Sequence, residues 1–406
     1  MSKEWCIKDE HHLYEKYKDF NEWIDGENGL ELQQANSLDG LSQPSKAFYA
    51  SDKEAYRQAY KEYRKDRRHE TLSESYLTEL CSDRHWFQRN LDHFFQLVTC
   101  LEKNMVVPFI GAGLSVEGGF PTWKEHLKDQ GRTAGLNSSH VEDLLNAGKY
   151  EMIIEEIEEE IGKPVFTQEI RDAFSKTGSL TNTMLLVSEL FKETIITTNY
   201  DALIEQSYDI GEENSVEIID PFSNLKSYSN DRVSVIKLHG DIQKPAQCIL
   251  SKGQYDVAYG IEELDMSLPI PKMLFHQYME NSLLFLGCSL NNDRTVEVFK
   301  KIKEDLGDTE LPQHFSLEQT PESEEELSKR NAYLANIGIT AIWFEHEQFN
   351  YIERILELAS NELRYKKSKT KKLEPVSIED KIEIKENWIG LIQKAIKPNN
   401  ILKYFS

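Results

Sequence analysis

From about residue 95 onward the chain alternates short apolar runs with longer segments whose apolar residues recur at helical spacing. The runs read "MVVPFI", "TIITT", "VSVIKL", "SLLFLG" and "GITAIWF", all rich in β-branched or aromatic residues. Their length suits buried strands, and the intervening segments are long enough for crossover helices. That alternation predicts an α/β fold, a Rossmann-like, mostly parallel sheet flanked by helices.

Both ends of the chain read differently. In "DKEAYRQAYKEYRKDRRHE", Tyr56, Tyr60 and Tyr63 fall on one helical face among Arg57, Lys61, Arg64, Arg67 and Arg68. Such a stripe either binds nucleic acid or packs with its charges solvated, and packing is the reading preferred here. A second helix is expected over "DRHWFQRNLDHFFQLVTCLEK". Past residue 365 the basic run "KKSKTKK" breaks the periodicity, and the amphipathic "IEDKIEIKENWIGLIQKAI" follows, which reads as a linker and an attachment helix. The expected organisation is an N-terminal helical region (1–94), a catalytic domain (95–362) and a basic linker with a C-terminal helix (363–406).

A parallel sheet binds ligands beyond the carboxyl ends of its strands. The residues there read "GAGLS", "NYD", "HGD", "GCS" and "EHE", polar, small or ionisable at every end. After the first strand stands "FIGAGLSVEGGFPTWKE", whose four glycines suit either a phosphate cradle or a tight strand-to-helix turn. On the first reading, a side chain at Gly113 would occupy phosphate space. Asn199 suits either a ligand-orienting amide or a helix N-cap. His239 suits either a base of near-neutral pKa or a satisfied core histidine.

Charge and cysteine usage narrow the function. The 406 residues carry a formal net charge of -23, which disfavours direct nucleic-acid binding. Five scattered cysteines form neither a disulfide framework nor a zinc ribbon. The opening "MSKEWCIKDEHH" is charged where a secretory signal is apolar, and no apolar run approaches membrane length, so a cytoplasmic chain without membrane contact is expected. The six glutamates of "EMIIEEIEEEIG" read as a solvated helix face.

In order and approximate spacing, "GAGLS…GGFPTW", "TTNYD" (197–201), "KLHGD" (237–241) and "LGCSL" (286–290) resemble the sirtuin family over about residues 95–362. The resemblance implies an NAD site with Asn199 and His239 as catalytic residues. It implies Gly111, Ala112, Gly113, Ser115, Thr122, Trp123, Asp201, Gly287 and Ser289 as contacts to NAD. Sirtuin deacylases carry two Cys-x-x-Cys pairs after His-Gly, whereas this interval holds only Cys248, so no structural zinc and no other metal is expected. Thr122 and Trp123 replace the family's phenylalanine-arginine pair, and Trp123 either stacks on nicotinamide or packs under the loop.

A chain keeping the NAD chemistry without the acyl-peptide platform resembles the sirtuin-like NAD hydrolases of bacterial anti-phage defence. That resemblance implies release of nicotinamide and ADP-ribose, a homo-oligomer and, since the sequence carries no Walker motif, a separate HerA-type hexameric ATPase as possible partner. The alternatives are an NAD-dependent ADP-ribosyl or deacyl transferase and a catalytically silent NAD-binding assembly subunit.

Overall fold

The computed structural model describes residues 14–66, 88–208, 216–222 and 232–373, apart from residues 16, 292 and 308. Contacts divide the chain into two compact units, Ser75–Glu357 and the pair of segments Met1–Glu74 and Leu358–Ser406.

The larger unit is built on seven parallel strands: β1 (Val106–Ile110), β2 (Thr194–Thr197), β3 (Val216–Ile219), β4 (Val233–Lys237), β5 (Ser282–Leu286), β6 (His314–Gln319) and β7 (Ile339–Phe344). Their spatial order is β3-β4-β2-β1-β5-β6-β7. From β1 the chain lays β2 beside it, β3 at the far edge and β4 between the two, then returns to lay β5 on the other side of β1. The switch point of the sheet therefore lies between β1 and β5, where the loops after the two strands diverge and leave a crevice. Pro108 sits within β1. It pairs with Leu284 of β5, but pairing with β2 is confined to Phe109 and Ile110, because proline has no N–H to give.

Phe109, Phe285 and Phe299 pack at 5.1–6.3 Å between ring centroids in the core beneath β1 and β5. Such aromatic packing locks the two strands that bear the crevice. The helix Gln88–Glu102 leads into β1 and clasps the far edge, since Asn90 both donates to Trp343 O (3.0 Å) and accepts from Trp343 N (2.7 Å) of β7.

The expected strands become β1, β2, β4, β5 and β7. Two more, β3 and β6, join them. β3 is an edge strand with only Ile219 buried, and β6 buries polar His314, Ser316 and Glu318 between Phe315 and Leu317, so neither reads as a continuous apolar run.

In the smaller unit, the helix Lys53–Asp66 turns its tyrosine stripe into an aromatic core. Phe20 lies 5.2 Å from Tyr56, 5.4 Å from Tyr60 and 5.0 Å from Tyr63 between ring centroids. The Tyr56 hydroxyl donates to Asn21 Oδ1. The stripe is thus a packing face. The last described helix runs Asn350–Leu373, straight through the basic run expected to break it. Lysine favours helix well, and periodicity is lost there only because the apolar face ends. The expected attachment helix lies outside the described residues.

Candidate active site

Beyond the carboxyl ends of β1, β2, β4 and β5 opens a cleft of about 1640 Å³, lined by Gly111, Ala112, Gly113, Thr122, Trp123, Asn199, Asp201, His239, Gly287 and Ser289 among others. Its size exceeds the roughly 300–1,000 Å³ common for small-ligand pockets and leaves room for an extended dinucleotide. Ten of the eleven residues nominated from the sequence therefore meet in one cleft. Ser115, only 1% exposed, lies beneath it.

The glycine loop does not have the expected form. After β1 comes a single 3-10 turn, Ala112–Ser115, and the next regular helix begins only at Trp123. The Gly111 amide donates to Leu286 O (2.9 Å) and the Gly113 amide to Gly287 O (3.0 Å). A Cβ on Gly113 would stand 2.8 Å from Gly287 O, and one on Gly111 2.5 Å from the same atom. These glycines are required by the loop after β5, so the expectation that a Gly113 side chain would intrude on phosphate space is corrected to a clash with Gly287. Gly287 itself has φ +65°, a left-handed conformation that suits glycine.

Asn199 is held by its neighbours. Thr197 Oγ1 donates to Ile110 O (2.8 Å) and accepts from the Asn199 amide (3.0 Å), tying the turn after β2 to the end of β1. Asn199 Nδ2 donates to Ser115 Oγ (3.1 Å). Asn199 Oδ1, buried at the cleft, is left without a partner. An orphaned buried acceptor in a cleft calls for a donor from a ligand or water. The helix-cap role weighed for Asn199 belongs to Asp201, whose Oδ1 accepts from the Leu203 amide (3.0 Å) and whose pKa burial raises.

His239 lies at the end of β4, 8% exposed. Its Nε2 lies 2.8 Å from the Tyr259 hydroxyl, its Nδ1 3.4 Å from that of Tyr255, and Tyr259 Oη continues to Thr295 Oγ1 (3.2 Å). Burial pulls its pKa down to about 4, so the imidazole is neutral at pH 7.

Trp123 packs one way against Tyr200 (5.5 Å) and Phe174 (6.2 Å) between centroids, while also lining the cleft. Thr122 caps the following helix in a capping box with Glu125, accepting from its amide at 3.1 Å.

Several contributing groups were not nominated from the sequence. Lys237, 1% exposed, donates to Asp201 O (2.7 Å) and pairs with Glu205 (2.6 Å), clamping the Asn199–Asp201 turn onto β4. A lysine inside the apolar run "VSVIKL" was the available signal. Asp293 lines the cleft and caps the helix Arg294–Leu306, accepting from the Val296 amide (2.9 Å), and burial raises its pKa to about 6. Arg330 donates to Glu318 Oε2 (3.0 Å) and to Ser289 O (2.7 Å), fixing the loop after β5. Among the described residues no helix is long and apolar enough to cross a membrane, and no three or more His, Cys, Asp or Glu side chains group as metal ligands do.

Comparison with known proteins agrees with this geometry. The NAD(+) hydrolase ThsA of Cytobacillus dafuensis is 27% identical over 213 residues, covering 52% of this chain and 41% of that protein. The Bacillus cereus (strain MSX-D12) protein of the same name is 29% identical over 207 residues, 50% of this chain and 40% of its own. The Enterococcus faecium one is 24% identical over 301 residues, 73% and 57%. The chain thus spans about two fifths of the length of the first two relatives. Residues 193–342 match the family described as SIR2-like domain. That stretch opens one residue before β2, ends inside β7, and contains Asn199, Asp201, His239, Gly287 and Ser289. Over residues 193–342 the chain is thus similar to the SIR2-like domain family, and that stretch supplies β2 to β6 and part of β7 of the parallel sheet whose strand ends line the cleft.

Proposed function

We propose that this chain is an NAD hydrolase that cleaves the bond between nicotinamide and ribose, giving nicotinamide and ADP-ribose. The observation that carries the reading is the cleft at the sheet's switch point, lined by His239 and by Asn199, whose Oδ1 is buried without a partner. The relatives named NAD(+) hydrolase support it.

The chemistry fits these groups. Nicotinamide leaves NAD as a neutral molecule from a pyridinium, so no general acid is needed. The site has to hold the ribose as positive charge develops on it, and to place a nucleophile. Asn199 Oδ1 accepts a hydrogen bond from a ribose hydroxyl or from the attacking water. Water adds its oxygen to the ribose carbon as the carbon–nitrogen bond breaks, and one proton is released. Trp123 and Tyr200 give an aromatic wall on which nicotinamide can stack.

An NAD-depleting role in anti-phage defence, a homo-oligomer and a HerA-type ATPase partner belong to the same proposal, on the strength of the sequence resemblance. Light scattering of the chain with and without such an ATPase tests the assembly. Turnover by Asn199→Ala and His239→Ala tests the site. Both variants are expected to lose nearly all NAD cleavage while melting within a few degrees of the parent. Parent-like turnover in either would overturn the assigned roles.

A further inference from the structure

The main chain and the side chain of His239 are held by different parts of the fold. Its carbonyl accepts from the Ile249 amide (2.9 Å), and the Ile249 carbonyl accepts from the Tyr200 hydroxyl (2.7 Å). A pinned main chain still leaves an imidazole free to turn about its side-chain torsions. What stops that turning is the helix Lys252–Tyr259, which brings the hydroxyls of Tyr255 and Tyr259 to the ring from one helical face. The two contacts are unequal. Tyr255, only partly buried, stands 3.4 Å from Nδ1, at the outer limit of a hydrogen bond. Tyr259 is fully buried, stands 2.8 Å from Nε2, and has a second partner in Thr295 Oγ1 at 3.2 Å. Whichever atom carries the proton, the shorter bond sets the plane and direction of the ring.

Thr295 stands in the first turn of the helix Arg294–Leu306, which follows the loop after β5. Arg294, its neighbour, grips the same tyrosine-bearing helix, donating to Asp256 Oδ1 (2.5 Å) and to Gly260 O (2.6 Å), the carbonyl next after Tyr259. The end of that helix is therefore tied to one support through its main chain, through Asp256 and through the Tyr259 hydroxyl. We propose that Tyr259, anchored by Thr295, is the positioning residue of His239: it holds the ring by its Nε2 edge and leaves the Nδ1 edge, where Tyr255 is the distant neighbour, for a ligand in the cleft. Both tyrosines line that cleft together with His239 and Thr295. The loop after β5 thereby serves the site twice, seating the glycine loop at Gly287 and carrying the anchor of His239. The inference rests on the NAD reading for what the histidine acts on, but not for the geometry of His239, Tyr259 and Thr295.

Purified protein carrying ¹³C-labelled histidine reads the ring without any turnover, with the His239→Gln spectrum identifying the His239 Cε1–H signal. Tyr259→Phe should shift or broaden that signal, and Thr295→Val should move it less. Thr295→Ser, which keeps the hydroxyl, should leave it at the parent position, as should Tyr208→Phe, whose hydroxyl donates to Phe191 O (2.7 Å). In NAD cleavage, Tyr259→Phe should lower kcat by roughly tenfold and Thr295→Val by roughly threefold, each with KM within about twofold, while Thr295→Ser matches the parent. A tyrosine that only fills space would be replaced by phenylalanine without that split. A His239 signal unmoved by Tyr259→Phe, a parent-like kcat in that variant, or a change confined to KM would overturn the proposal. Should Tyr259→Phe fail to fold, the Thr295 pair decides, and indistinguishable Val and Ser variants would overturn it equally. A parent that releases no nicotinamide, with His239 signals that move as expected, would leave the positioning geometry standing and sink the NAD reading alone.

Discussion

Replacing Lys237 with methionine removes a buried ammonium while keeping most of the side-chain volume. The lysine side chain is 1% exposed and its partner Glu205 15%, with 2.6 Å between Nζ and the carboxylate. Lys237 also donates to the carbonyls of Asp201 (2.7 Å) and Tyr200 (3.4 Å). Methionine therefore strands a buried carboxylate and leaves two carbonyls short of a donor. Breaking a buried ion pair from one side costs about 3–5 kcal/mol, against less than about 1 kcal/mol for an exposed pair. Burial already raises the Glu205 pKa and Lys237 opposes that rise, so without the lysine the carboxyl should take up a proton more readily. The loss should then be larger at pH 8 than at pH 5. Urea unfolding of parent, Lys237→Met and Lys237→Met/Glu205→Leu at both values measures it. The single variant should lose several kcal/mol at pH 8 and the double variant should recover most of it. A loss below about 1 kcal/mol, or a double variant no better than the single one, would refute the claim that this pair clamps the Asn199 turn to β4.

Gly113→Ala should destabilise the protein by about 1–3 kcal/mol through its clash with Gly287 O at 2.8 Å, and a melting temperature equal to the parent's would contradict the loop contact. His126, His239 and His314 are buried and held neutral, with pKa values of about 4, 4 and 3. Their folded values lie below the unfolded value near 6.5, so the stability they confer is full above that pH and is lost as pH falls toward 4. At about 1.4 kcal/mol per unit, each accounts for roughly 3 kcal/mol or more, and a urea midpoint that stays flat from pH 7 to pH 4.5 would count against them. Asp293 behaves oppositely, because its folded pKa of about 6 lies above the unfolded value. Asn caps as well as Asp, so Asp293→Asn should raise the melting temperature at pH 8 and leave it unchanged at pH 4.

The sheet was legible where its strands are apolar on both faces, as in β1, β2, β4, β5 and β7. β6 was not, because His314, Ser316 and Glu318 put polar groups at buried positions, and the partners that satisfy them, the Leu283 amide for His314 and Arg330 for Glu318, are distant in sequence. The cleft residues could be named because strand ends are fixed by the strands themselves. What holds those residues could not. Ser115 and Asn199 are 84 positions apart, and Tyr200 and Ile249 are 49. The glycine loop shows the limit most clearly, since its composition suited a phosphate cradle while its actual neighbour, Gly287, comes from the loop after β5, far along the chain.

The central claim is that water-dependent cleavage of NAD occurs in this cleft. Purified chain incubated with NAD and no added acceptor, with nicotinamide and ADP-ribose separated and quantified over time, addresses it most directly. Equal amounts of the two products, released by the parent and not by Asn199→Ala, are the predicted result. Nicotinamide without matching ADP-ribose, or intact NAD after prolonged incubation with protein that binds it, would contradict the account.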